Sequence, residues 1–134
     1  MADNLMKIKI VSPDRVFYEG RVSKAEFNTS LGEIGVLPKH IPLTVIIEPG
    51  LLKLYSEQET KQAALHSGFA EILPEAVTIL AEVIEWPEEI DVSRAEAAAG
   101  RAKERISSKT PETDMARAET ALHRALVRLN AVGR

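Results

Sequence analysis

The hydrophobic period of this chain changes once, and the change falls at Trp86-Pro87-Glu88-Glu89. Before that point apolar residues recur at every second position. After it they recur at every third or fourth. Alternation puts one face of a strand into a core, and a spacing of three and four does the same for a helix. One chain carrying both patterns in two blocks predicts two parts: an N-terminal all-β sandwich over residues 1–88 and a C-terminal antiparallel two-helix hairpin over 89–134.

In the first part, Lys7-Ile8-Lys9-Ile10-Val11 alternates strictly, as do Lys24-Ala25-Glu26-Phe27-Asn28-Thr29 and Leu52-Lys53-Leu54-Tyr55. Val45-Ile46-Ile47 and Val77-Thr78-Ile79-Leu80 are β-branched runs suited to a buried sheet. Turn signals stand at Ser12-Pro13-Asp14, Glu19-Gly20, Glu48-Pro49-Gly50, Ser67-Gly68 and Leu73-Pro74-Glu75. Many short strands at this spacing indicate a sandwich or flattened barrel.

In the second part, Asp91 is placed to cap an alanine-rich helix from Val92 to Ile106, interrupted only by Gly100. Ser107-Ser108-Lys109 ends it. Thr110 followed by Pro111 then predicts the start of a second helix. On that helix Met115, Ala118, Leu122, Ala125, Leu129 and Val132 form one apolar seam. Helices of roughly 12–15 residues are marginal alone in water. The hairpin therefore needs a surface to lean on, and an appendage of low intrinsic stability can have more than one docking state.

The composition excludes several kinds of chemistry. With no cysteine in 134 residues there are no disulfides, thiolate zinc sites or cysteine nucleophiles. A net charge of −3 gives no basic face for nucleic acid. Asp3, Lys7 and Lys9 precede any long apolar stretch, which speaks against a secretory signal, and no apolar run reaches the length of a membrane span. Neither GxxxxGK[ST] nor GxGxxG occurs, and His40, His66 and His123 lie in three separate segments without metal-ligand spacing. His66 is expected to point outward from its strand or to satisfy a local hydrogen bond. No catalytic residue, metal site or required cofactor is expected.

One stretch is more structured than a generic turn: Gly32-Glu33-Ile34-Gly35-Val36-Leu37-Pro38-Lys39-His40-Ile41-Pro42-Leu43. Read from residue chemistry it is a turn leading to an edge strand, or a stiff ridge displaying Glu33 and His40. This stretch resembles the hallmark of the epsilon subunit of the F-type rotary ATP synthase. Val11-Ser12-Pro13-Asp14, Ser67-Gly68-Phe69-Ala70-Glu71-Ile72 with Val77-Thr78-Ile79-Leu80-Ala81-Glu82, and Ile90-Asp91-Val92-Ser93-Arg94-Ala95 resemble further family segments in the same order. The likeness covers essentially the whole chain. It departs at Ala76, where the family often has asparagine, and at Gly100, where a better helix former is usual.

The resemblance, and nothing in residue spacing, implies a non-catalytic central-stalk subunit that couples proton- or sodium-driven rotation to ATP synthesis. The sandwich would sit against the gamma subunit and the membrane ring, His40 toward gamma and Glu33 near the ring loops. The hairpin would extend to the catalytic alpha/beta head and restrain ATP hydrolysis. Regulatory ATP would bind the folded-down hairpin through Ile90, Asp91, Arg94, Ala95, Arg124 and Arg128, with Glu85 a weaker candidate. The implied location is peripheral, on the cytoplasmic face of a bacterial membrane or the stromal face of a thylakoid. Two rival classes stand beside this one. A free-standing sandwich that binds a ligand, with the helices as a dimerising tail, would need exposed aromatics, and aromatic content is only 4%. A hydrolase built on His40 would need a pocket with a strongly perturbed acid.

Overall fold

The computed structural model describes residues 4–134, so Asp3 lies outside the described residues. Eight strands are followed by two helices. The strands are β1 Met6–Ser12, β2 Arg15–Val22, β3 Lys24–Thr29, β4 Gly32–Val36, β5 Leu43–Ile47, β6 Gly50–Tyr55, β7 Thr60–Ile72 and β8 Ala76–Glu85. They run in the order β2-β1-β8-β7-β5-β3-β4, with β6 bridging β3 and β7. That bridge folds the sheet over on itself into a sandwich. One core fills it, built from inward residues such as Ile8, Ile10, Phe27, Leu52, Leu65, Ile72 and Ile79, each no more than 1% exposed.

The alternation read from the sequence holds in detail. β1 and β3 bury every second residue, and β6 does the same. Two of the turn signals prove to be something else. Glu19-Gly20 lies inside β2, opposite Ile8 and Lys9 of β1. Ser67-Gly68 lies inside β7, where the pairing with β8 shifts register. There β7 leaves β6, its partner through Leu65, and takes β5 as partner from Gly68 onward. A glycine in a strand interior marks a bulge as readily as a turn. The Gly32–Val36 segment is the edge strand β4, and the two prolines fall in the loop after it.

Helix α1 spans Val92–Ser107 and α2 spans Met115–Ala131. Asp91 caps α1 as expected, its carboxylate accepting from the Arg94 amide at 3.1 Å. The second cap is not Thr110. Asp114 fills that role, accepting from the Arg117 amide at 3.0 Å, while Thr110 and Thr113 close a turn around Pro111. Aspartate and threonine both cap well, so the local sequence offered two starts, and the chain uses the later one. No helix among the described residues is long and apolar enough to cross a membrane.

Gly100 serves no packing purpose: a Cβ there would meet nothing within 4 Å. Gly100→Ala should therefore stabilise α1 by about 1 kcal/mol through helix propensity alone. Chemical denaturation of the two chains side by side checks this, and no gain would mean that α1 already frays at this point.

Candidate functional site

Between the two parts the chain is pinned to the sandwich. Trp86 stacks on Phe17 with ring centroids 4.3 Å apart, and its backbone N–H donates to the Glu89 carboxylate at 2.8 Å. Arg15, the first residue of β2, pairs with the same carboxylate at 2.8 Å. That guanidinium is the main reason the Glu89 carboxyl sits below the usual carboxylate range. The short 3-10 turn Pro87–Glu89 is thus fixed, and the hairpin begins from a rigid base.

Beyond the turn the contact with the sandwich is small. Val127 and Ala131 of α2 pack with Ile90 and with Ala64 of β7, flanked by Leu51 and Val132. This is a second face of α2, distinct from the Ala118–Ala125 face turned to α1. The seam read from the sequence describes the helix–helix contact and, apart from Val132, missed the docking face.

A cleft of about 430 Å³ opens where β8, the turn and both helices meet. From β8 comes Glu85, and from the turn Glu89. Ile90 and Asp91 come next along the chain, then Arg94, Ala95, Ala98 and Arg101 of α1, and Arg128 of α2. Six of the seven residues named from the sequence for this purpose line one cavity. Arg124 does not; it lies exposed on α2, one turn before Arg128. Arg101 was missed, although its spacing of seven from Arg94, with Ala98 between, puts it on the same helix face.

The carboxylates of the cleft are engaged. Asp91 caps α1, Glu89 holds Arg15, and Glu85 accepts from Arg128 Nε at 2.7 Å and from His66 Nε2 at 3.2 Å. Arg94 and Arg101 form no ion pair among the described residues, and Arg128 binds Glu85 through Nε alone, leaving its terminal nitrogens. The uncommitted charge is positive and fork-shaped, which suits phosphate oxygens.

Glu33 and His40 stand apart from this cleft. Glu33, on β4, lines a separate groove of about 370 Å³ against α2, opposite His123 and Asn130. His40 is half-buried in the β4–β5 loop, its Nδ1 2.6 Å from the Ile41 carbonyl. That loop is tied to the β7–β8 turn by the Lys39 amide donating to the Pro74 carbonyl. Among the described residues no three His, Cys, Asp or Glu side chains gather as a metal site.

Two family models divide the chain where its period changes. Residues 5–87 match the ATP synthase delta/epsilon chain β-sandwich domain, and residues 88–133 match the long α-helix domain of the same chain. The chain belongs to the ATP synthase epsilon-chain family. It is 41% identical to the ATP synthase epsilon chain of Caldanaerobacter subterraneus, over 98% of this chain and 96% of that one. The Bacillus subtilis epsilon chain is 41% identical over 96% of this chain and 98% of its own. That of Pelotomaculum thermopropionicum is 43% identical over the full length of both. The fold also matches a chain in the structure of Euglena gracilis mitochondrial ATP synthase with a TM-score of 0.83 at 23% identity, covering 96% of this chain and 82% of that one. As an epsilon-family member the chain is a subunit of a peripheral part of a membrane complex.

Proposed function

We propose that the chain is a non-catalytic central-stalk subunit whose sandwich binds the stalk and ring, and whose hairpin is a movable brake on ATP hydrolysis. The observation that carries this reading is the thinness of the hairpin's contact with the sandwich. Two valines, an isoleucine and two alanines form most of it. Burial on that scale contributes on the order of a few kcal/mol, small enough for a ligand or partner to reverse.

An outward apolar row on the sandwich supports a stalk partner. Ile46 of β5 faces Phe69 of β7, which faces Leu80 of β8, and each is more than half exposed. Contiguous exposed apolar side chains mark interaction surfaces. The gamma subunit is the partner proposed for this row, with His40 and Glu33 as further contact residues toward gamma and the ring. The catalytic alpha/beta head is the partner proposed for the released hairpin, through the arginines of α2. A location on the cytoplasmic face of a bacterial membrane goes with that assembly.

The cleft between the helices is proposed to take one regulatory ATP, with Arg94, Arg101 and Arg128 on the phosphates. Because those arginines come from both helices, ligand would stabilise only the folded-down state. Binding at a hundredfold excess over Kd shifts such a balance by about 2.7 kcal/mol.

Stopping the chain after Glu88 tests the division of labour. The sandwich core draws on no residue beyond Trp86, so the shortened chain should fold and bind the stalk. ATP hydrolysis by the reassembled complex should lose its inhibition. Full inhibition by the shortened chain would show that the hairpin is not the brake, and loss of the fold would put the boundary elsewhere.

A further inference from the structure

His66 occupies a place that neither the family motifs nor the cleft account for. It lies on β7 between Leu65, which enters the sandwich core, and Ser67. Ala64, two residues back and so on the same face, belongs to the cluster beneath α2. His66 is 1% exposed, on a strand against which α2 packs, and Arg128 and Arg124 of α2 lie near enough to act on the charge of its ring. Its Nε2–H donates to Glu85, the carboxylate that also holds Arg128. Nδ1 is buried and has no hydrogen-bond partner among the described residues.

That arrangement favours the neutral ring. The one proton of a neutral imidazole is used on Glu85, and Nδ1 keeps a bare lone pair. A second proton would place an N–H where nothing accepts it, and a positive charge beside Arg128. We infer that His66 is a proton-sensitive latch: docking of α2 seals it in its neutral form, and proton uptake favours release of the hairpin. The inference rests on the proposed mobility of the hairpin.

The charged groups around the ring can be named by element. From β8 comes Glu85, which favours the protonated ring; from α2 come Arg128 and Arg124, which oppose it. The 3-10 turn, which lies against β7, carries Glu88 and Glu89, the latter occupied by Arg15. β6 begins opposite Leu65, with Leu51 opposite Ala64, and its one charged residue, Lys53, pairs further along with Gln62. The sum is a ring held below the ordinary histidine value, first by burial and then by Arg128.

Lifting α2 returns the ring to water and to the ordinary value of about 6.5. The open state therefore binds more protons than the docked state. Stability of docking is complete above about pH 6.5 and falls as the pH drops toward the depressed docked value, by at most about tenfold per pH unit. Carboxylates titrate about two units lower, so the window from about pH 7.5 to 5.5 isolates histidine.

The chain has no cysteine, so a single introduced thiol reports opening without background. Ala64→Cys puts that thiol under α2, where only the open state exposes it. Its modification rate in the full-length chain, divided by that of a free cysteine peptide in the same buffer, reads the open fraction. Between about pH 7.5 and 5.5 this ratio should rise by up to about tenfold. With His66→Gln, whose amide can still donate to Glu85, the rise should vanish. With His123→Gln, which removes the histidine of α2 and its contact with the Pro49 carbonyl, it should persist. A ratio constant within about twofold, or an equal rise in His66→Gln, overturns the latch. Val127→Asp, placed in the docking cluster, separates the two readings. If it exposes the thiol at every pH while the parent chain shows no pH response, the latch alone fails. If it leaves the thiol protected, the hairpin is not a movable arm and both fail.

Discussion

A one-to-one ATP isotherm should weaken by about tenfold to a hundredfold when Arg94, Arg101 or Arg128 is replaced by alanine. Each would supply hydrogen bonds to a charged phosphate, and such bonds contribute about 1.5–3 kcal/mol apiece. The three differ in what else they do. Arg94 and Arg101 form no ion pair among the described residues, so their loss should affect ligand and little else. Arg128 also braces Glu85, so Arg128→Ala should weaken docking as well as binding and show the largest fall. Arg117→Ala is the matched control, because that residue lies by another cleft near the α1–α2 connection. Calorimetry on the isolated chain decides the matter. Binding untouched by all three substitutions, or no binding at millimolar ATP, would reduce the cleft to a meeting of surface charges.

Gly68→Ala should cost about 3 kcal/mol or more. Gly68 has φ +151, and a Cβ there would collide with the Leu80 carbonyl oxygen, with the Ala81 Cα at 3.0 Å. Backbone at positive φ costs a non-glycine residue about 1–3 kcal/mol before any collision is counted. The colliding atoms are backbone of β8, which cannot swing aside as a side chain can. The position is also where β7 exchanges β6 for β5, so yielding would disturb both layers of the sandwich. A fall of roughly 10 °C in Tm is the expected reading. A loss under about 1 kcal/mol would show that the bulge can relax. At Gly100 the same substitution is expected to stabilise, because there the added methyl meets open space.

Much of the architecture was readable because each strand and helix buries one face. The alternation of Ile8 and Ile10, or of Ala25 and Phe27, is the direct imprint of a core on a strand. Misreadings fell where a local signal has two structural meanings. Glycine after Ser67 can make a turn or a bulge, and only the two-sided pairing of β7 selects the bulge. Thr110 and Asp114 can each cap a helix, and the turn around Pro111 favours the second. The cleft residues Asp91 and Arg94 were readable because they sit in one continuous motif.

By itself, then, the amino-acid sequence determined two blocks of different period, a sandwich followed by a hairpin, and the cap of α1, while the residues named for the arginine cleft came from the family resemblance. Only the tertiary structure decided that Glu85 is shared between His66 and Arg128, from positions 19 and 43 residues away. It also decided that Val127 and Ala131, outside the predicted seam, seat the hairpin on Ala64. The physical reason is one of range. A period states which side of an element avoids water, through neighbours one or two turns apart, but not which distant surface will cover it. The meeting of strand β7, strand β8 and helix α2 over one buried imidazole depends on how the whole sheet folds over, and no local spacing encodes that.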